Sequence, residues 1–139
     1  MTELYGVKIG DSHEMTRRVS EEDIQDFARV SGDDQPLHLD PDFAGKTRFK
    51  GRIAHGMLSA GYISAVIGTQ LFPRGVAIYL SQQLRFLRPV KVGDTVTTRA
   101  EVKEIDAERR IVTLQTDCFN QDEKPVVTGE AAVMLDEVS

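Results

Sequence analysis

The segment from Gly56 to Leu71 limits what this chain can fold into more than any other. Read on a helical period it carries Met57, Leu58, Ala60, Tyr62, Ile63, Ala65, Val66 and Ile67, so apolar side chains point in nearly every direction. A helix of that kind is expected to be buried all round rather than to lie on a surface. It is too short to cross a bilayer, and Ser59, Ser64, Thr69 and Gln70 interrupt it. Gly61 and Gly68 each cost about 1 kcal/mol against alanine in a helix interior, which points to strands approaching the backbone closely there.

What surrounds this helix can be read from the second half of the chain. After Phe72-Pro73-Arg74-Gly75 the period changes, and four long extended segments follow: Val76–Pro89, Thr95–Ile105, Arg110–Asn120 and Lys124–Leu135. In the second of them Val96, Thr98, Ala100 and Val102 alternate with Thr97, Arg99, Glu101 and Lys103, the pattern of an antiparallel strand with one wet face. The breaks Val92-Gly93-Asp94, Asp106-Ala107-Glu108 and Gln121-Asp122-Glu123 are short enough for meander or hairpin connections. A long sheet must therefore cover one buried helix, with the chain ends adding further strands. With 139 residues this gives an α+β fold in a single domain, residues 1–139.

The first half holds a second helix. Ser20 caps it, Asp23 completes a box-like start, and Ile24, Phe27, Ala28 and Val30 form its apolar face before Gly32 ends it. Pro36 and Pro41 are expected to keep the next segment out of regular helix, apart from a short turn at Pro41–Ala44. Between these landmarks lies GDDQPLH, Gly32 to His38, which places an aspartate and a histidine five residues apart in a constrained loop. Another histidine, His55, directly precedes Gly56 at the start of the buried helix. The first turn of a helix presents unpaired N–H groups and a positive dipole end, which can hold a carbonyl oxygen that gains negative charge.

These segments carry a resemblance. GDDQPLHLDPDFA, AHGMLSAGYIS and IYLSQQLRFLRPVKVGDTV together resemble the MaoC-like dehydratase family, in particular the short (R)-specific enoyl-CoA hydratases of the PhaJ type. The resemblance runs from about Tyr5 to Leu135 and implies a hot-dog fold, an antiparallel sheet wrapped around a central helix. It implies reversible syn addition of water to a trans-2-enoyl-CoA, giving an (R)-3-hydroxyacyl-CoA. It implies Asp33 and His38 as the catalytic pair, the Gly56 N–H on the thioester carbonyl, and Ser64 as a supporting residue near the pair. The family loop usually reads G-D-x-N-P-[LI]-H, so Gln35 stands where asparagine is usual and bears on the loop's internal hydrogen bonding. Histidine's ordinary pKa of about 6.5 suits a base near neutrality, whereas an aspartate acting as acid needs burial. His38 is therefore the expected proton acceptor, and Asp33 orients water and delivers the proton. No cofactor is expected besides the thioester substrate, whose carrier is coenzyme A or acyl carrier protein. A homodimer is expected, with a dimer of dimers as the larger assembly.

Other readings frame the expectations. A hot-dog acyl-CoA thioesterase and a non-catalytic acyl-thioester-binding protein are the alternatives. His55 is expected to orient the helix start or bind the active-site loop rather than react. Leu58, Tyr62 and Leu80 are the candidate acyl-tunnel residues. Asp40 and Asp42 fit the Pro41 turn better than a metal set, so no metal is expected. Arg48, Lys50, Arg52, Arg85, Arg88 and Lys91 read as an ordinary solvated face. His13 is expected on the surface of an early strand, and Cys118 packed within a strand. A net charge of −5 argues against a general nucleic-acid binder, and no membrane segment is read. A lone cysteine and the absence of a signal-like start fit a cytoplasmic protein.

Overall fold

The computed structural model describes residues 3–138. A two-stranded ribbon, β1 (Glu3–Leu4) and β2 (Val7–Lys8), leads into β3 (Ser12–Arg18) and then α1 (Glu21–Ser31). Two short helices follow, α2 (Pro36–Leu39) and α3 (Pro41–Gly45). The central helix α4 (Gly56–Val66) continues into a wider π-helical turn, Ile67–Leu71. The rest is β4 (Gly75–Phe86), β5 (Thr95–Asp106), β6 (Ile111–Phe119) and β7 (Pro125–Glu137). One five-stranded antiparallel sheet runs in the order β3-β5-β6-β7-β4 and carries α4 against β3, β5 and β6. This is the hot-dog arrangement expected from the sequence.

The core follows from the alternation. Val96, Thr98, Ala100 and Val102 of β5 turn inward, as do Val112, Leu114, Thr116 and Cys118 of β6. They meet Ile63, Val66 and Ile67 of the helix, each of them essentially without solvent contact. Thr98 and Cys118 are opposite one another in the register, and their side chains lie 3.4 Å apart. Burial pushes the Cys118 thiol up to about 11, so the packed cysteine stays protonated near neutrality.

Four local expectations are corrected. The central helix is not buried all round: Met57, Gly61, Ser64 and Gly68 lie on an open side, and a Cβ at Gly61 or Gly68 would meet nothing within 4 Å. The sheet covers only one side of α4 in the single chain, so the small residues face outward. The Val92-Gly93-Asp94 break is no hairpin, because β4 pairs with β7 and the chain must cross to the opposite part of the sheet to form β5. Val30 is 75% exposed, since Ile24 and Ala28 already fill the face that α1 turns inward. Pro36 starts a helix instead of preventing one, because the first helical position needs no N–H donor.

Gly129 is required by close approach. A Cβ at Gly129 of β7 would sit 1.8 Å from the Gln83 carbonyl oxygen of β4. The oxygen is main-chain and a Cβ is fixed in place by its own backbone, both in the longest strand pair of the sheet, so neither yields cheaply. Gly129→Ala is expected to destabilise the fold by about 1–3 kcal/mol or more, measured as a lowered urea midpoint.

Candidate active site

Gly32 ends α1 in the left-handed conformation, φ 83°, and its N–H bonds the Ala28 carbonyl at 2.9 Å. The chain then turns outward at Asp33. Its N–H donates to Ser31 Oγ at 3.1 Å, and its carboxylate accepts the Gln35 N–H at 3.4 Å. Gln35 is the N-cap of α2, yet its side chain makes no capping bond. An asparagine there could cap the helix through its shorter side chain. The loop forms without it, through the Ser31 and Asp33 side chains and the main-chain bonds Asp34 N–H to Gly32 O and His38 N–H to Gln35 O.

His38 sits in α2 and is 5% exposed. The segment expected as a loop is a short helix here, and the ring's burial is supported by a hydrogen-bond partner. Nδ1 lies 2.7 Å from the Ile53 carbonyl. A carbonyl only accepts, so Nδ1 carries the proton and Nε2 keeps its lone pair. His55 is equally buried and donates from Nε2 to the Asp33 main-chain oxygen at 2.8 Å, while its Nδ1 has no partner. The two imidazoles stack with centroids 3.9 Å apart and planes at 28°, and the Phe27 ring lies 4.7 Å beyond His55. One polar atom each from Asp33, His38 and His55 falls within 4.8 Å of the others. His55 thus binds the loop at Asp33, one of the two roles expected for it.

A short strap organises all of this. Ile53 bridges to Lys91, and the Ala54 N–H bonds the Val90 carbonyl at 2.7 Å, so the strap is tied to the crossover between β4 and β5. From it, Ile53 takes the ring of His38, His55 takes the loop at Asp33, and Gly56 opens α4. As the first helical residue, Gly56 has an N–H with no partner inside the helix. No partner for it exists among the described residues. Beside it opens a cavity of about 420 Å³, lined by Arg48, Phe49, Phe86 and Arg88 among others. The Phe86 ring lies 2.8 Å from where a Cβ on Gly56 would stand.

The Asp33–His38–His55 cluster has the donor types of a metal site, but its geometry suits proton transfer better. Stacked rings present their lone pairs side by side, whereas zinc needs nitrogens that converge on it at about 2.0–2.1 Å. Asp40 is committed elsewhere, accepting the Asp42 and Phe43 N–H groups at the start of α3.

The remaining candidates scatter. Leu58 and Tyr62 line one shallow cleft with Phe27 and Val30. Tyr62 is buried with an unpartnered hydroxyl, and burial raises its pKa. Leu80 lies apart from both, 51% exposed on β4. Ser64 is exposed on the open side of α4 and bonds neither Asp33 nor His38. Asp33 is exposed as well, so the single chain lacks the burial expected around it. Arg52 departs most from the sequence reading: it is turned inward rather than solvated. Phe27, Phe49, Ile53 and Phe86 also belong to the site and were not read from the sequence. Phe86 lies within the segment IYLSQQLRFLRPVKVGDTV that carries the resemblance, but nothing in a single sequence tells a site-lining phenylalanine from a packed one.

A sheet folded over one helix defines a hot-dog domain, and here Asp33, His38 and His55 gather near that helix's N-terminus. Residues 7–121 match the MaoC like domain, and the chain belongs to that family. It is 48% identical over 129 residues to an (R)-specific enoyl-CoA hydratase of Rhodospirillum rubrum, covering 93% of this chain and 88% of the relative. The solved R-hydratase PhaJ1 from Pseudomonas aeruginosa is 47% identical with a TM-score of 0.88, covering 96% of this chain and 84% of that one. The (R)-hydratase from A. caviae involved in PHA biosynthesis is 42% identical with a TM-score of 0.90, covering 95% and 99%.

Proposed function

We propose that this chain is an (R)-specific enoyl-CoA hydratase, a hydro-lyase that adds water reversibly to a trans-2-enoyl-CoA. The mechanism is argued from the strap: it ties His38 Nδ1 to the Ile53 carbonyl, gathers polar atoms of Asp33, His38 and His55 within 4.8 Å of one another, and ends at Gly56, whose N–H has no partner among the described residues. The N–H polarises the thioester carbonyl, which makes the β-carbon electrophilic. Water held between Asp33 and His38 loses a proton to His38 Nε2 as its oxygen joins the β-carbon. The electron pair of the double bond moves toward the carbonyl oxygen at Gly56. His38 then passes that proton by way of Asp33 to the α-carbon as the electron pair returns from the carbonyl oxygen, on the same side as the hydroxyl, so the elements of one water are added syn.

The reading includes a homodimer. Among the described residues β4 is paired only with β7, which leaves it at the sheet edge, and one of its faces shows Val76, Ile78 and Leu80 to solvent. A strand of that length and apolarity is a pairing template unless covered. A second copy would also shield the open side of α4. Sedimentation velocity is expected to give twice the chain mass; a monomer at micromolar concentration removes the dimer from the account.

The functional test follows the conjugated enoyl-thioester absorbance of crotonyl-CoA alongside free thiol. Loss of absorbance without thiol is expected. Thiol release instead would indicate a thioesterase, and no change in either would leave a binding protein.

A further inference from the structure

The Arg52 side chain is enclosed, with only 13% of it exposed. A guanidinium taken out of water must recover its hydration in hydrogen bonds. Arg52 recovers it incompletely. Nε donates to the His38 main-chain oxygen at 2.6 Å and Nη1 to Glu21 Oε2 at 2.7 Å, while Nη2 is buried without a partner. An apolar side chain would fill the same space at lower cost, so stability alone does not account for an arginine here.

We propose that Arg52, held by Glu21, is a positioning residue that fixes His38 for water activation. The proposal rests on the reading of His38 as the base. α2 has four residues, too few to hold its own shape, and its last carbonyls have no continuing helix to bond. Arg52 supplies the missing donor at His38. Its neighbour Ile53 accepts from the same residue's ring. Two adjacent residues therefore grip one histidine by its backbone and by its imidazole, which fixes where Nε2 points. Without the guanidinium only the ring contact with Ile53 holds the residue, so α2 can shift against the strap and that contact is made only part of the time. A misplacement of about 1 Å can cost about 10²-fold in rate. Glu21 completes the device: its hydrogen bond with Arg52 holds the carboxyl below its ordinary range, so the pair stays ionised near neutrality.

The test uses the full chain with crotonyl-CoA. Arg52→Met is expected to lower kcat about 10–100-fold with KM within about twofold of wild type. Arg52→Lys, which can serve the carbonyl or the carboxylate but not both, should fall between. Glu21→Gln should show a smaller loss of the same kind. In a His38→Gln background, Arg52→Met should add nothing, because it acts through that side chain. A rise in KM alone, or a full additional loss in that background, overturns the proposal. If Arg52→Met does not fold, wild-type kcat in both Arg52→Lys and Glu21→Gln overturns it as well. A second readout does not need the reaction: long-range nitrogen–proton NMR should show the His38 ring as a single Nδ1–H tautomer in wild type and a mixture in Arg52→Lys. An unchanged tautomer overturns the proposal even if wild type proves inactive on crotonyl-CoA, an outcome that would refute the functional reading separately.

Discussion

His38→Gln is expected to lower kcat for crotonyl-CoA hydration by about 10²–10⁴, the range in which positioned acid–base groups contribute. Glutamine keeps a polar side chain of similar reach, so its amide can still donate toward the Ile53 carbonyl that now holds Nδ1. The fold should survive while the bare nitrogen beside Asp33 is lost. Asp33→Asn should fall in the same range for a different reason. The main-chain oxygen that His55 grips is untouched, so the loop keeps its anchor, but the side chain can no longer relay a proton. Because both groups act on the same water, the double variant should be little worse than either single one. KM should change little in all three, since the proposed mechanism has Gly56 hold the thioester. Steady-state kinetics with an unfolding control decides; a variant that keeps wild-type kcat removes its residue from the mechanism.

Gly56→Pro is expected to lower kcat/KM by about 10²–10³, the loss typical of one oxyanion-type donor. The substitution removes the N–H and little else from the backbone. Position 56 is the first of its helix, where proline is well accepted. His55 before it already has φ −60° and ψ 132°, the extended region that a following proline demands. The added carbons meet the Phe86 ring, which is half exposed and free to move. Gly56→Ala carries the same crowding and keeps the N–H, so it is the control. Equal activity of the proline and alanine variants would mean that the backbone donor does not hold the carbonyl.

The sequence made the architecture legible where periodicity was strong. The four long extended segments appear as β4 to β7 within a few residues of their expected ends, and the box formed by Ser20 and Asp23 is present in full. It was less legible where the answer depends on pairing partners. Nothing local says that β4 lies beside β7 rather than β5, or that one side of α4 stays open in the single chain. The structure brings Asp33, His38 and His55 together, as the loop and helix-start motifs suggested, but their roles as catalytic groups rest on the proposed mechanism. Arg52 shows the limit most sharply. In sequence it is one of several basic residues around Gly51; only folding brings its guanidinium between the His38 carbonyl and Glu21. The acyl path was no clearer, since Leu80 belongs to a different face from Leu58 and Tyr62.

The most direct measurement is the configuration of the product. Wild-type protein incubated with crotonyl-CoA should yield 3-hydroxybutyryl-CoA that chiral chromatography resolves as the (R) enantiomer alone. The (S) enantiomer, a racemate, or free coenzyme A with no hydroxyacyl product would contradict the account.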